Sequence, residues 1–278
     1  MGEKRAEGKK RTMICFSALL TSNAAYRPAA DRLFAALNSN GVQYSFLENT
    51  HDIWMRDFMP VKTRSGKYVS FRYDPRYLDD APELKTNYRR DVSGQLSLGT
   101  IVYSDVNLDG GNVVFSPSGT KAVISDRVFE ENKEYPSAAL VQELERVLEA
   151  QVIVIPSLSS DLTGHADGMV RFVDEHTAVG NDSRHPWGLE GRIKRVLRDH
   201  GIEVIGFPYF DSKGDSAVGC YLNFLETEQH LFLPVFGAAT DDGATAAAER
   251  IFKKTVIPIN VNEIAVHGGV LNCISWET

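Results

Sequence analysis

Five short polar segments, most of them rich in glycine, carry the side chains in this sequence that could do chemistry. A cysteine attacks carbon once it is a thiolate, a histidine transfers protons, and carboxylates bind cations through charge-assisted hydrogen bonds. The segments recur about every 55 residues, and each supplies a different reactive or hydrogen-bonding group. They are residues 54–57 (Trp-Met-Arg-Asp), 109–112 (Asp-Gly-Gly-Asn), 164–168 (Gly-His-Ala-Asp-Gly), 219–223 (Gly-Cys-Tyr-Leu-Asn) and 267–276, which contains Cys273.

The sequence between these segments repeats a pattern of apolar strands and amphipathic helices. First strands are predicted to begin near residues 13, 68, 122, 177 and 231. Helices are predicted at 26–38, 136–150, 188–200 and around 245–254, an irregular stretch at 74–98, a loop at 54–57 and a final strand at 273–274. One such unit cannot bury its apolar strands alone, so five units around an axis would share a core. The pattern predicts an α/β fold in which the five polar segments converge on that axis.

Composition and charge narrow the classes of partner. The 278 residues are 43% hydrophobic and 24% charged, which is typical of a globular protein. A net charge of -7 and a pI near 5.5 argue against nucleic acid or an anionic membrane as the main partner. Three cysteines fit a reducing compartment, and neither they nor the seven histidines fall at zinc-ligand spacing. No metal and no organic cofactor is expected, and a homodimer is left open.

The beginning of the chain allows two interpretations. Residues 1–11 are basic and are predicted to be a disordered tail, followed by a single catalytic domain over 12–278. The alternative is a secretory signal, because an apolar run at 13–20 is followed by Ser-Asn-Ala at 22–24. We favour the tail, and hence a cytoplasmic protein, because cleavage there would remove a strand that the first repeat needs. No apolar run approaches the length of a membrane-spanning helix.

The segments, taken in order, resemble the guanidino-modifying pentein superfamily, specifically the agmatine deiminases and the bacterial peptidyl-arginine deiminases. The resemblance runs from about Asn49 to the end of the chain. It depends on Trp-Met-Arg-Asp at 54–57, an acid followed by Gly-Gly-Asn at 109–112, Gly-His-x-Asp at 164–167, and Gly-Gly-x-x-x-Cys at 268–273. Each motif is weak alone, but together they are specific. The resemblance implies a five-bladed α/β propeller, a pentein, and deimination of a guanidino group without a cofactor.

Roles for individual residues follow from this resemblance. Cys273 would attack the guanidinium carbon and form a thiouronium intermediate, and His165 would protonate the departing nitrogen and then activate water. Three carboxylates would hold the guanidinium, and two further side chains would contact the substrate. The three carboxylates are Asp57, Asp109 and Asp167, and the further contacts are Trp54 and Asn223. Cys15 and Cys220 are interpreted as structural, and Arg56 is expected to brace a neighbouring unit.

Three departures from the agmatine deiminases leave the substrate open. Asn272 stands where they usually have histidine, Asp109 replaces a glutamate, and the chain is several tens of residues shorter. The shorter chain predicts a wider mouth, so agmatine, free arginine and peptidyl-arginine all remain candidates for the small cationic guanidino substrate. Two other functions would fit the same residues or the same fold. One is amidino transfer to an amine, and the other is a catalytically silent pentein that serves as a binding module.

Overall fold

The computed structural model describes residues 13–157, 161–182, 188–211 and 214–278 of the chain. The predicted basic tail at 1–11 lies outside these residues. Over the described ranges the fold is α/β, as predicted. No helix within them is long and apolar enough to cross a membrane.

Fifteen strands, counted over the described ranges, form five three-stranded sheets of identical topology. The strands are β1 Ile14–Ser17, β2 Tyr44–Leu47, β3 Val61–Lys62, β4 Tyr68–Arg72, β5 Ile101–Asn107, β6 Val114–Phe115, β7 Lys121–Ser125, β8 Gln151–Ile155, β9 Val170–Phe172, β10 Thr177–Asn181, β11 Glu203–Phe207, β12 Leu225–Glu226, β13 His230–Val235, β14 Thr255–Asn260 and β15 Ser275–Glu277. In every sheet the middle strand pairs antiparallel with one neighbour and parallel with the other. The middle strands begin at residues 14, 68, 121, 177 and 230, which confirms the predicted repeat.

A parallel pair needs a crossover connection, and helices provide four of the five. The helices are α1 Leu19–Ser22, α2 Arg27–Ser39, α3 Met55–Phe58, α4 Arg127–Glu131, α5 Ser137–Leu148, α6 Leu189–Asp199, α7 Asp241–Phe252 and α8 Asn262–Ala265. The fifth crossover, from β4 to β5, is built from short 3₁₀ and π turns between residues 76 and 95. This is the stretch that the sequence predicts to be irregular, because its prolines and charges interrupt any helical period.

Apolar faces at helical spacing bury the long crossover helices against their sheets. In α5 the buried side chains are the predicted Leu140, Leu144, Val147 and Leu148. The sheet that contains β1 is made from both ends of the described chain, because β15 pairs antiparallel with β1. Cys15 lies opposite Trp276 in this pairing. The strand that follows Cys273 is therefore held by the first strand of the chain.

Two local predictions were wrong. Residues 54–57 were expected to form a loop, but Met55–Phe58 is a single helical turn, α3. The final strand was placed at 273–274, whereas Leu271 to Ile274 form a turn and the strand begins at Ser275. Four residues are too few to show a helical period, and an apolar run beside Cys273 looks the same in a buried turn as in a strand.

Four polar segments end just before the antiparallel edge strand of a sheet, and the fifth runs into such a strand, β15. Hydrogen bonds link one segment to another. Gly111 N donates to Asp57 Oδ1 at 3.2 Å, and Ala166 N donates to Asn112 Oδ1 at 3.2 Å. Three more contacts join the remaining segments. They are Cys220 Sγ to Gly168 O at 3.6 Å, Asn272 N to Asn223 O at 3.0 Å, and Arg56 N to Cys273 O at 3.0 Å. The repeat therefore brings residues that lie about 50 to 60 positions apart into direct contact.

Candidate active site

His165 lies between two carboxylates that come from different repeats. Its Nε2 is 2.8 Å from Asp109 Oδ2, and its Nδ1 is 3.5 Å from Asp57 Oδ1. The same Asp109 oxygen accepts the hydroxyl of Tyr77 at 2.9 Å. All three members of the acid–histidine–acid cluster are buried, so their charges are poorly screened by solvent. Asp109 is therefore engaged with both His165 and Tyr77.

Gly111 allows this cluster to form. A Cβ on Gly111 would lie 2.5 Å from Asp57 Oδ1 and 2.8 Å from His165 Nδ1, and 3.5 Å from Asp167 Oδ2. Distances below 3.0 Å are clashes, so only glycine lets the backbone approach these groups this closely. The Gly-Gly pair is thus a steric requirement of the site, beyond its use as a turn signal.

The nucleophile candidate lies beside the third carboxylate. Cys273 Sγ is 3.9 Å from Asp167 Oδ2. Asn272 Nδ2 donates to the same Asp167 oxygen at 2.7 Å. Asp167 is 3% exposed and Asn272 6% exposed, so this hydrogen bond is shielded from bulk water. The half-buried thiol therefore lies against a buried pair of carboxylate and amide.

Main-chain contacts fix Cys273 from two sides. Its N–H donates to Asn223 Oδ1 at 3.1 Å, and its carbonyl oxygen accepts Arg56 N at 3.0 Å. The predicted contact of Asn223 with substrate stays a prediction, and the structure shows its side-chain oxygen bound to the backbone of Cys273. The Arg56 guanidinium pairs with Glu277, with Nη2 and Oε2 2.6 Å apart, which confirms that Arg56 braces a neighbouring element.

Trp54 packs against the glycine pair that precedes Cys273. A Cβ on Gly269 would lie 2.4 Å from Trp54 Cζ3 and 3.0 Å from Cys273 Cβ. The half-buried ring of Trp54 therefore lies against the turn that carries Cys273. This places the predicted substrate contact next to the predicted nucleophile.

Burial and the neighbouring charges shift the pKa of three groups in the cluster. Burial lowers the pKa of His165, but Asp57 and Asp109 outweigh it and raise the pKa well above the ordinary value. Burial raises the pKa of Asp57, and the nearby Asp109 and Asp167 add to the rise against the opposing effect of His165. Burial also raises the pKa of Cys273 well above its usual range, and Asp167 and Asp57 raise it further. Burial and the two carboxylates therefore favour the thiol form of Cys273 over the thiolate.

Two cavities border the site. One, of about 120 Å³, is lined by Tyr77, Asp109 and His165 together with Arg76 and Arg127. The other, of about 490 Å³, reaches Asp167 and Asn272. In the part of the chain that the structure describes, no group of three or more His, Cys, Asp or Glu residues is arranged to hold a metal ion.

All seven predicted site residues lie in or beside this cluster, but three neighbours were not foreseen in their roles. Tyr77 lies in the irregular crossover, where no periodicity singles it out. Asn272 was noticed only as a departure from a motif, and its bond to Asp167 spans 105 residues of sequence. Gly111 was expected to allow a sharp turn and a close approach of the backbone to a ligand, and only the fold shows which side chains crowd it.

Comparisons with known proteins identify the family of the chain and its fold. The sequence model of the family described as Porphyromonas-type peptidyl-arginine deiminase matches residues 13–278. A Shewanella baltica protein named "Putative agmatine deiminase" is 34% identical over 65 residues, which span 23% of this chain and 18% of that protein's length.

Solved structures share the fold. C. jejuni agmatine deiminase with substrate bound matches with a TM-score of 0.72 at 15% identity, over 96% of this chain and 92% of that one. Pseudomonas aeruginosa DDAH, in complex with citrulline, matches with a TM-score of 0.62 at 13% identity, over 96% and 98% of the two chains. Identity this low establishes the fold alone. The family match does more, and the resemblance inferred from the motifs is confirmed: the chain belongs to the Porphyromonas-type peptidyl-arginine deiminase family.

Proposed function

We propose that this protein is a hydrolase that converts a guanidino group to a ureido group and releases ammonia. The observation that carries the proposal is the convergence of a thiol, a proton-transfer group and three carboxylates from separate repeats. Cys273 Sγ lies 3.9 Å from Asp167, and His165 lies between Asp57 and Asp109. Carboxylates match the paired N–H groups of a guanidinium, and a cation relieves the repulsion among them.

In the proposed reaction, Asp57 and Asp167 hold the guanidinium, and its positive charge offsets the carboxylates that raise the pKa of Cys273. Cys273 releases its proton to water and attacks the central carbon, so that a C–S bond forms as the C=N π bond opens onto nitrogen. His165 donates a proton to one terminal nitrogen, which leaves as ammonia. Water deprotonated by His165 then attacks the thiouronium carbon, the C–S bond breaks, and a ureido product leaves with the thiolate restored.

In this scheme Asp109 orients His165 and stabilises its imidazolium form. The sequence prediction had Asp109 holding the guanidinium directly, but its Oδ2 accepts His165 at 2.8 Å and Tyr77 at 2.9 Å. A carboxylate in that position fixes the ring of His165 and favours the imidazolium form, which a general acid needs. A carboxylate can still be shared with substrate through Oδ1.

We also infer that the five sheets are arranged as the blades of a propeller around one axis. The shared topology of the sheets, the β15–β1 pairing and the hydrogen bonds between successive polar segments support this arrangement. The proposed partner is a small cationic guanidino compound or a chain-terminal arginine. Agmatine, arginine and peptidyl-arginine remain the three candidates.

The test is a colorimetric assay for the ureido product with agmatine, arginine and a peptidyl-arginine, run with the wild type and Cys273→Ser. Product from at least one substrate, absent in the variant, is expected. Adding glycine or ornithine and looking for a new guanidino product would reveal amidino transfer instead. No product from any of the three substrates, with or without the added amine, would contradict the proposed reaction.

A further inference from the structure

Asn272 contacts the carboxylate that lies nearest the nucleophile. Its Nδ2 donates to Asp167 Oδ2 at 2.7 Å, and that oxygen is 3.9 Å from Cys273 Sγ. Both partners are almost fully buried, so no bulk water competes for the bond. A hydrogen bond to a buried carboxylate fixes its rotamer, because breaking it would leave charge without a donor.

Arg56 is a cation that could compete with the substrate for Asp167. The cavity of about 490 Å³ is lined by Asp167 and Asn272 and also by Arg56. Arg56 carries a guanidinium, the same group that the proposed substrate presents. Glu277 holds its Nη2 at 2.6 Å, and the main-chain oxygen of Asn272 lies 3.4 Å from its Nε. Asn272 therefore contacts both Asp167 and the cation that could capture Asp167 from the cavity side.

We propose that Asn272 is a positioning residue that keeps Asp167 directed at the reacting guanidinium and away from Arg56. This proposal rests on the proposed function. An amide suits the task because it donates a hydrogen bond at every pH and carries no charge. Asn272 therefore adds no charge that would compete with the substrate cation for Asp167. Without the amide, Asp167 can turn into the cavity, where water and Arg56 would bind it.

The test compares two small alkylating probes that differ mainly in charge. Chloroacetamidine is cationic and chloroacetamide neutral; in both, a Cys273 S–C bond forms as the C–Cl bond breaks and chloride leaves. In the wild type, the amidine is expected to react faster, since the carboxylates bind its cation. In Asn272→Ala, the amidine-to-amide rate ratio is expected to fall by about 10- to 100-fold, the loss expected for a hydrogen bond to a charged group. Asn272→Asp keeps the shape but removes the donor, and is expected to lose the ratio at least as strongly.

Asn181→Ala is the matched control. Asn181 Nδ2 donates to Gly168 O at 3.2 Å, so it supports the turn that carries Asp167 without contacting the carboxylate. Its rate ratio should equal that of the wild type. A general loss of folding would expose Cys273 and abolish the preference by itself, so circular dichroism and thermal unfolding must first show that each variant is folded.

The outcomes separate this proposal from the function on which it rests. A wild-type preference for the amidine that disappears in both Asn272 variants and persists in Asn181→Ala supports the positioning role. A preference that survives in Asn272→Ala and Asn272→Asp overturns the positioning role and leaves the deiminase proposal standing. Equal rates for both probes with the wild type would overturn both.

Discussion

The imidazole of His165 and the carboxylate of Asp109 meet at 2.8 Å, although 56 residues separate them in sequence. Asp109 raises the pKa of His165, against the effect of burial. The imidazolium therefore persists to higher pH than that of an ordinary histidine. Protonation of the leaving nitrogen should be maintained over the same extended range.

Replacement of Asp109 by asparagine should lower the pKa of His165, because a charge that favours the imidazolium is removed. The alkaline limb of the kcat profile should move to lower pH, and kcat at its optimum should fall by about 10²- to 10⁴-fold, as for loss of general acid–base catalysis. Tyr77→Phe removes a hydroxyl bond to Asp109 without changing charge, and should shift the limb far less. pH–rate profiles of the three proteins check this. An unshifted limb in Asp109→Asn would contradict the assigned pairing.

Cys273 should be a poor nucleophile toward neutral reagents at neutral pH. Burial, Asp167 and Asp57 raise its pKa well above the usual value, so the thiolate fraction grows only as pH rises through that raised pKa. Alkylation of Cys273 by neutral iodoacetamide should still be accelerating above pH 9, whereas a free cysteine levels off near its pKa of about 8.5. Mass spectrometry of the modified peptide against pH measures this. The measurement is made in a Cys220→Ser protein, because burial also raises the pKa of Cys220, to about 12, and its alkylation could be confused with that of Cys273. A plateau at or below pH 8 would contradict the prediction.

Asp57→Asn should abolish turnover and yet raise stability at neutral and alkaline pH. The pKa of Asp57 is raised above its unfolded value, chiefly by burial, so the native state binds more protons above about pH 4. The free energy of unfolding then falls as pH rises toward the native pKa. Asparagine has no charge to bury, so this decrease in stability with pH disappears, and its side-chain oxygen can still accept the hydrogen bond from Gly111 N. We therefore expect the free energy of unfolding to rise by about 1 to 3 kcal/mol at pH 8.

Below about pH 4 Asp57 is protonated in both states, and the gain should vanish. Urea unfolding of the wild type and Asp57→Asn at pH 4 and pH 8 tests the sign. Equal stability at pH 8 would show that the pairing of Asp57 with His165 compensates fully for its burial.

Two glycine-to-alanine substitutions should have opposite consequences. At Gly111 the new Cβ would lie within 3 Å of Asp57 and His165, so kcat should fall by at least about 10²-fold as the cluster is displaced. At Gly243, an exposed position in α7, nothing lies within 4 Å. Gly243→Ala should raise stability by about 0.5 to 1 kcal/mol and leave turnover unchanged. Steady-state kinetics and thermal unfolding of both variants distinguish the two effects, and an active Gly111→Ala would contradict the crowding.

The repeating strands and helices could be predicted from the sequence, whereas contacts between distant residues could not. The middle strands and four helical crossovers follow from the period of apolar residues, and the proposed roles of Cys273 and His165 follow from the order of the motifs. The partner of Asp167 could not be predicted, because Asn272 lies 105 residues away and no local pattern links them. Likewise, Asp109 beside glycine reads as a turn residue or a ligand for substrate, and only packing shows that it faces His165.

The pairing of β15 with β1 has a consequence for folding kinetics. Each parallel strand pair is joined by one local crossover and can form early. The contact of Met13 with Thr278 spans 265 residues, so its formation costs more loop-closure entropy. Cys273 lies two residues before β15, so we expect its backbone contact with Arg56 to form only together with this long-range closure. During refolding, far-UV circular dichroism should therefore recover ahead of the thiol's selective reactivity, which reports the last event of assembly and not the average state of the chain.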